Sequence, residues 1–157
     1  MKIKITTVSL LVFLMSFSAC GYKSTNLLKQ KSYFVQQIKL SGDKRIGYLI
    51  KNEILLNSSS TAERTIDINL LINKKKEIKD KNISGKITSY KLILDVDLTV
   101  INVKNSKKIE KKFMKSNSYS VADNHSDTLS NEKRTLENLA EKITEDIINF
   151  LSIYLKN

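Results

Sequence analysis

The sequence predicts a two-layer α+β domain. Two amphipathic helices pack on one face of a four-stranded sheet, in the order βαβββα. Three observations carry this reading. Apolar residues alternate with polar ones, at the period of a strand, in four separate stretches between Tyr33 and Val121. They recur at helical spacing in two others, residues 44–57 and 128–155. Two helical stripes suffice to cover one sheet face, which leaves the other, polar face to water.

The first strand runs from Tyr33 to Leu40, with Phe34, Ile38 and Leu40 on one face and Gln36 as an exception. Ser41-Gly42-Asp43 reads as a turn, with Asp43 as the helix N-cap. From Lys44 to about Asn57, Ile46, Leu49, Ile50, Ile54, Leu55 and Leu56 follow helical spacing, and the run Asn57-Ser58-Ser59-Ser60 ends it. In Thr61 to Asn73 the period changes. Ile66, Ile68, Leu70 and Ile72 alternate with Asp67, Asn69, Leu71 and Asn73. The charged stretch KKKEIKDKNISG, residues 74–85, reads as a loop or a solvated strand end.

Lys86 to Val103 carries the clearest strand. Tyr90, Leu92, Leu94, Val96, Leu98 and Val100 share one face, with Lys91, Asp95, Asp97 and Thr99 on the other. A slip of one residue would bury both aspartates, so the register is well determined. The polar outer face of the sheet, with Asp67, Asn69, Asp95, Asp97 and Thr99, is expected to stay wet. KNSKK at 104–108 fits a hairpin turning at Asn105-Ser106. The fourth strand, from about Ile109 to Val121, turns Ile109, Phe113, Tyr119 and Val121 one way. The last helix, from about Thr128 to Leu155, has a stripe of Leu136, Leu139, Ala140, Ile143, Ile147, Phe150, Leu151 and Tyr154.

The 157 residues and 41% apolar content suit about one domain. Residues 1–20, MKIKITTVSLLVFLMSFSAC, have a different character. Lys2 and Lys4 precede an uncharged run from Ile5 to Phe17, and small residues follow. That is the layout of a secretory signal peptide, and the run is shorter than the roughly 20 residues of a membrane-spanning helix. The expected organisation is a signal peptide at 1–19, a lipidated N-terminus and tether at 20–32, and one domain at 33–157. Phe17-Ser18-Ala19-Cys20 resembles the bacterial lipobox, with Phe17 where Leu is usual. Cleavage before Cys20 would make this residue, the only cysteine, the lipid attachment point. Several acyl chains give stable anchoring, since each buried CH₂ contributes about 0.8 kcal/mol. Gly21, rather than Asp, follows Cys20, which resembles the signal for release to the outer membrane.

The formal net charge of +11 falls to +9 once Lys2 and Lys4 leave with the leader. A basic exported domain points to lipid phosphates as partners, and no nucleic-acid partner is expected. Lysine greatly outnumbers arginine and Asn and Ile are abundant, a pattern that an AT-rich genome also produces. Two basic clusters, Lys74 to Lys81 and Lys104 to Lys112, fall at opposite ends of the sheet. The one histidine, His125, lies in VADNHSD beside Asp123, Ser126 and Asp127. Neighbours in one loop do not converge as a Ser-His-Asp arrangement must, and no further His or free Cys completes a metal site. Asp95 and Asp97 share a strand face as glycosidase carboxylates do, but alternation accounts for them. No P-loop, dinucleotide-binding or G-x-S-x-G pattern is present. No enzyme, metal or cofactor is therefore expected.

Together, Cys20-Gly21-Tyr22, the order βαβββα, the stretch SYKLILDVDLTVINVKNSKKI and the stretch SNSYSVADNHSDTLSNEKRTLENLAEKITEDI resemble the LPS-assembly lipoprotein family LptE, in its alphaproteobacterial form. The lysine-rich segment 74–82 departs from the family pattern. The resemblance implies a non-enzymatic lipoprotein, anchored on the periplasmic side of the outer membrane. Such proteins plug the lumen of an LptD-type β-barrel, assist its assembly and bind lipopolysaccharide. It makes Lys81 and Lys86, before the long strand, and Lys133 and Arg134, early in the last helix, candidate partners of lipopolysaccharide phosphates. The alternatives are a pilotin-like lipoprotein serving another outer-membrane partner, and a lipid-anchored hydrolase using His125 and Ser126.

Overall fold

The computed structural model describes residues 33–155. The leader, Cys20 and the tether lie outside the described residues. Six elements follow one another: β1 (Phe34–Gly42), α1 (Lys44–Leu56), β2 (Thr65–Lys81), β3 (Ile87–Asn102), β4 (Lys108–Ser120) and α2 (His125–Tyr154). The four strands lie side by side in chain order. β1 pairs parallel to β2, with α1 as the crossover, and β2, β3 and β4 form an antiparallel meander. The expected βαβββα architecture is the observed one.

Both helices lie on the same face of the sheet. The core joins Ile66, Ile68, Leu70 and Ile72 of β2 and the alternating run Leu92 to Val100 of β3. It also takes Ile46, Ile50 and Ile54 of α1 and Leu139, Ile143, Ile147 and Leu151 of α2. Ile109 and Phe113 pack at its margin, and Tyr119 is buried. Gly47 lets α1 sit close to the sheet. A Cβ there would lie 3.1 Å from Ile72 Cδ1 and 3.3 Å from Leu40 Cδ2.

Several boundaries differ from the sequence reading. In β1 the apolar phase shifts at a bulge: Val35 pairs with Ile66, Gln37 with Asp67 and Ile38 with Ile68, so Gln36 is the extra residue. The bulge turns Val35, Ile38 and Leu40 to the core face in place of Phe34. β1 also continues through Ser41 and Gly42, which pair with Leu71 and Ile72, before the chain turns. β2 runs on to Lys81, so residues 74–81 are a solvated strand end and not a loop. Pairing with β3 satisfies the backbone groups on that edge, while the other edge, beyond the end of β1 at Ile72, and the long charged side chains meet water. α2 begins at His125, earlier than Thr128, because Asn124 caps it: its Oδ1 accepts from the Asp127 N–H at 2.7 Å. Its first turn has no apolar residue, so periodicity misses it. The outer sheet face is half-buried and not simply wet. Lys112 of β4 lies over Asp95 and Asp97 of β3 at 2.9 and 3.4 Å, and the Asp95 side chain is only 16% exposed.

Asp43 caps α1 as expected, its Oδ1 accepting from the Ile46 N–H at 3.1 Å. Asp43 Oδ2 also lies 3.7 Å from Lys74 Nζ. Asp43→Ala is expected to cost about 1 kcal/mol, mainly through loss of the cap. A urea titration at constant m-value measures it, and an unchanged midpoint would remove the cap as a determinant of the α1 start.

Candidate functional site

The β2–β3 hairpin holds the first pair of candidate residues. Asn82 shapes its tip: its N–H donates to the Lys86 carbonyl at 2.9 Å and its Oδ1 accepts from the Lys86 N–H at 2.9 Å. Gly85 turns the chain at φ 80°. Lys81 ends β2 opposite Ile87. Lys81 and Lys86 thus flank one tight turn, both exposed. Neither meets a carboxylate among the described residues, whereas Lys79 lies 3.9 Å from Asp80.

The start of α2 lies at the same end of the sheet. Val121 donates to the Thr88 carbonyl at 2.9 Å, and Asn131 Nδ2 to the Ser120 carbonyl at 3.2 Å. Lys133 and Arg134 follow on α2, exposed, and Lys133 lies 3.9 Å from Glu137. Lys81 and Lys86 sit at the hairpin tip, whereas Lys133 and Arg134 share α2 beside Glu132, which bonds Lys76 five residues before Lys81, so the fold does not gather the four into one site. His125 is the exposed first residue of α2. The described residues contain no cluster of ligating side chains fit for a metal, and none of their helices is long and apolar enough to cross a membrane.

A side-chain network beneath this end escaped the sequence reading. Lys76 donates to Glu132 Oε2 at 2.6 Å, and the Tyr119 hydroxyl donates to the same oxygen at 2.7 Å. Tyr90 and Tyr119 stack at 5.7 Å, with the Lys76 ammonium 4.3 Å from the Tyr90 ring centre. Burial alone would raise the Glu132 carboxyl. The Lys76 ammonium and the Tyr119 hydroxyl outweigh it and hold that carboxyl below its ordinary value. Burial alone would lower the Lys76 ammonium, but its bonds to Glu132 and Tyr119 raise it. Tyr119 is raised, first by burial. Carrying the β2 alternation past Ile72 through Lys74 and Lys76 to Ile78 would have placed Lys76 on the inner face. Reading 74–85 as a possible loop hid that.

The network ties the long hairpin to the start of α2. Glu132→Gln is expected to lower stability by about 1 kcal/mol at pH 7. A depressed folded-state pKa contributes stability above the unfolded value that is lost as pH falls through the folded one. The gap between wild type and Glu132→Gln should therefore close in acid. Thermal melts at pH 7 and pH 3 test this, and a gap that is the same at both would show that the charge is idle.

The comparisons agree on the fold. A Caulobacter crescentus protein matches 82% of this chain and 93% of its own, at 16% identity and a TM-score of 0.58. Rare lipoprotein B from Shewanella oneidensis matches 77% and 99%, at 15% identity and a TM-score of 0.52. Lipoprotein B from Nitrosomonas europaea matches 81% and 89%, at 15% identity and a TM-score of 0.50. Identities this low establish a shared fold only. No curated protein matches the chain. The family model for LptE, lipopolysaccharide-assembly, matches residues 35–151, from β1 through most of α2. On that match, which spans nearly the whole two-layer domain, the chain belongs to the LptE lipopolysaccharide-assembly family.

Proposed function

We propose that this protein is a lipoprotein of the outer membrane, cleaved before Cys20 and anchored there on the periplasmic side. There it acts as plug and assembly factor for an LptD-type β-barrel and assists the insertion of lipopolysaccharide. The family match over residues 35–151 carries the reading. The architecture is compatible with it. A barrel lumen is polar, and the uncovered sheet face offers Asn69, Asp97, Thr99 and Lys112 for contact with a polar wall. Lys81 and Lys86, free of carboxylates at the hairpin tip, are suited to lipopolysaccharide phosphates as point charges. Lys133 and Arg134 extend the positive surface along α2. The protein has no catalytic role in this scheme.

Detergent extraction followed by affinity purification of the full-length protein should bring down one large outer-membrane β-barrel in near-equal amount. Recovery of the protein alone, with barrel assembly intact after its depletion, would exclude the plug role. Co-purification with the ring of a secretion system would favour the pilotin-like alternative. Photocrosslinking to lipopolysaccharide should fall when Lys81 and Lys86 are both changed to Glu, and unchanged crosslinking would remove them as ligands.

A further inference from the structure

The end of the domain opposite the β2–β3 hairpin carries a second group of free cations. A hollow of about 650 Å³ opens there between the start of β2, the β3–β4 turn and the end of α2. Arg64, Lys104 and Lys107 line it above an apolar floor of Val100, Tyr154 and Leu155. Arg64 is half-buried, yet among the described residues its side chain has no carboxylate or hydrogen-bond partner, and the side chains of Lys104 and Lys107 also have none. The nearby Lys108 is satisfied, lying 2.5 Å from Glu110. Glu63, also at the rim, opposes one of the three charges. The carbonyl end of α2 contributes about half a negative charge more. The hollow remains net positive beside the partly exposed Tyr154 ring, which suits an anion attached to a small apolar body.

The turn that presents the lysines is well built. Asn102 Oδ1 accepts from the Lys104 and Asn105 N–H groups at 2.9 and 3.3 Å, and Asn105 Oδ1 accepts from the Lys107 N–H at 3.0 Å. The chain enters the domain at this same end. Phe34 N–H donates to the Arg64 carbonyl at 2.8 Å, so β1 starts beside the hollow. Only residues 20–32 separate Cys20 from that point, a reach of at most roughly 45 Å. Lipidation of Cys20 would keep this end within that distance of a bilayer. The choice of occupant rests on that anchoring reading, but not on the barrel or on the hairpin lysines.

We propose that Arg64, Lys104 and Lys107 bind the phosphate of an anionic glycerophospholipid headgroup, with its glycerol and upper acyl atoms against the Tyr154 ring. Tyr154 is half-exposed, with an apolar ring and a polar tip, as suits a side chain at a lipid interface.

The test uses the full-length protein in a neutral maltoside detergent and short-chain probes, so that the anchor does not dominate. Titration with dihexanoyl phosphatidylglycerol should give saturable amide NMR shifts at Arg64 and across Asn102 to Lys107. Dihexanoyl phosphatidylcholine, whose choline the three cations repel, and inorganic phosphate, which lacks the apolar body, should each bind at least about tenfold more weakly. That is the factor carried by a single hydrogen bond to a charged group. Arg64→Ala with Lys107→Ala should cost a similar factor while leaving the thermal midpoint within a few degrees. Equal affinity for phosphatidylcholine, or for free phosphate, would overturn the proposal, as would the absence of saturable shifts or an unaffected double variant. Cys20→Ser should keep the shifts, so loss of membrane fractionation in that variant reports on the anchor alone.

Discussion

Gly42→Ala should cost about 3–4 kcal/mol, much of the margin of a domain this size. Gly42 ends β1 at φ 81°, where an L side chain carries a penalty of about 1 kcal/mol. Most of the loss is steric. A Cβ built there lies 2.0 Å from the Ile72 carbonyl oxygen and 2.9 Å from its carbon. These are backbone atoms of the central strand β2, which cannot turn aside as a side chain would. Ile72 is itself fully buried, and its carbonyl accepts from the Asp43 N–H at 3.0 Å. Relieving the clash therefore disturbs the β1–β2 pairing, the entry to α1 and the Asp43 cap together. Gly85→Ala is the matched control. Gly85 has φ 80°, but its Cβ would meet nothing within 4 Å, so only the backbone penalty of about 1 kcal/mol applies. Urea midpoints for the two variants separate strain from collision, and equal losses would refute the steric argument.

Leu98→Ala is expected to cost about 3 kcal/mol, and Leu71→Ala well under 1 kcal/mol. The two leucines lie on neighbouring strands and on opposite sheet faces. Leu98 is 1% exposed and pairs with Leu70 beneath the helices, so truncation leaves a cavity in the shared core. Leu71 pairs with Asp97 on the uncovered face and is 41% exposed. The contrast tests the two-layer architecture itself. Similar losses at both positions would mean that the outer face is as tightly packed as the inner one. Where the outer face meets a partner, Leu71→Ala should weaken that association without changing the stability of the isolated protein.

Much of this molecule is legible in the chain. The alternation from Tyr90 to Val100 specifies a strand and its buried face, because a one-residue slip would bury Asp95 and Asp97. The stripe from Leu136 to Leu151 specifies a helix of many turns. Two such stripes and four alternating stretches admit few arrangements other than a covered sheet. Local chemistry also announces the Asp43 cap and the turn at Asn105-Ser106, where Ser106 takes φ 55°.

What the chain alone leaves open involves atoms far apart in sequence. Apolar alternation fades after Asn73, because Lys74 to Lys81 are too polar to look like strand. They are strand because β3 supplies their ladder partners as far as Ile87. The bulge at Gln36 arises from the pairing of β1 with β2, and that pairing exchanges Phe34 for Val35 on the core face. Glu132 binds Lys76, 56 positions away, and no periodicity couples them. Arg64, Lys104 and Lys107 look like three scattered charges until the meander and the end of α2 bring them around one hollow. The elements, the buried faces of β2, β3 and α2, and the family are therefore written in the chain, because these depend on local spacing and motif, whereas the core face of β1 shifts at its bulge and Leu49, Leu55 and Leu56 of α1 stay exposed. The strand ends, the bulge and the grouping of charges emerge only on folding, because hydrogen-bond ladders and Coulomb attraction act between residues that only the fold makes neighbours.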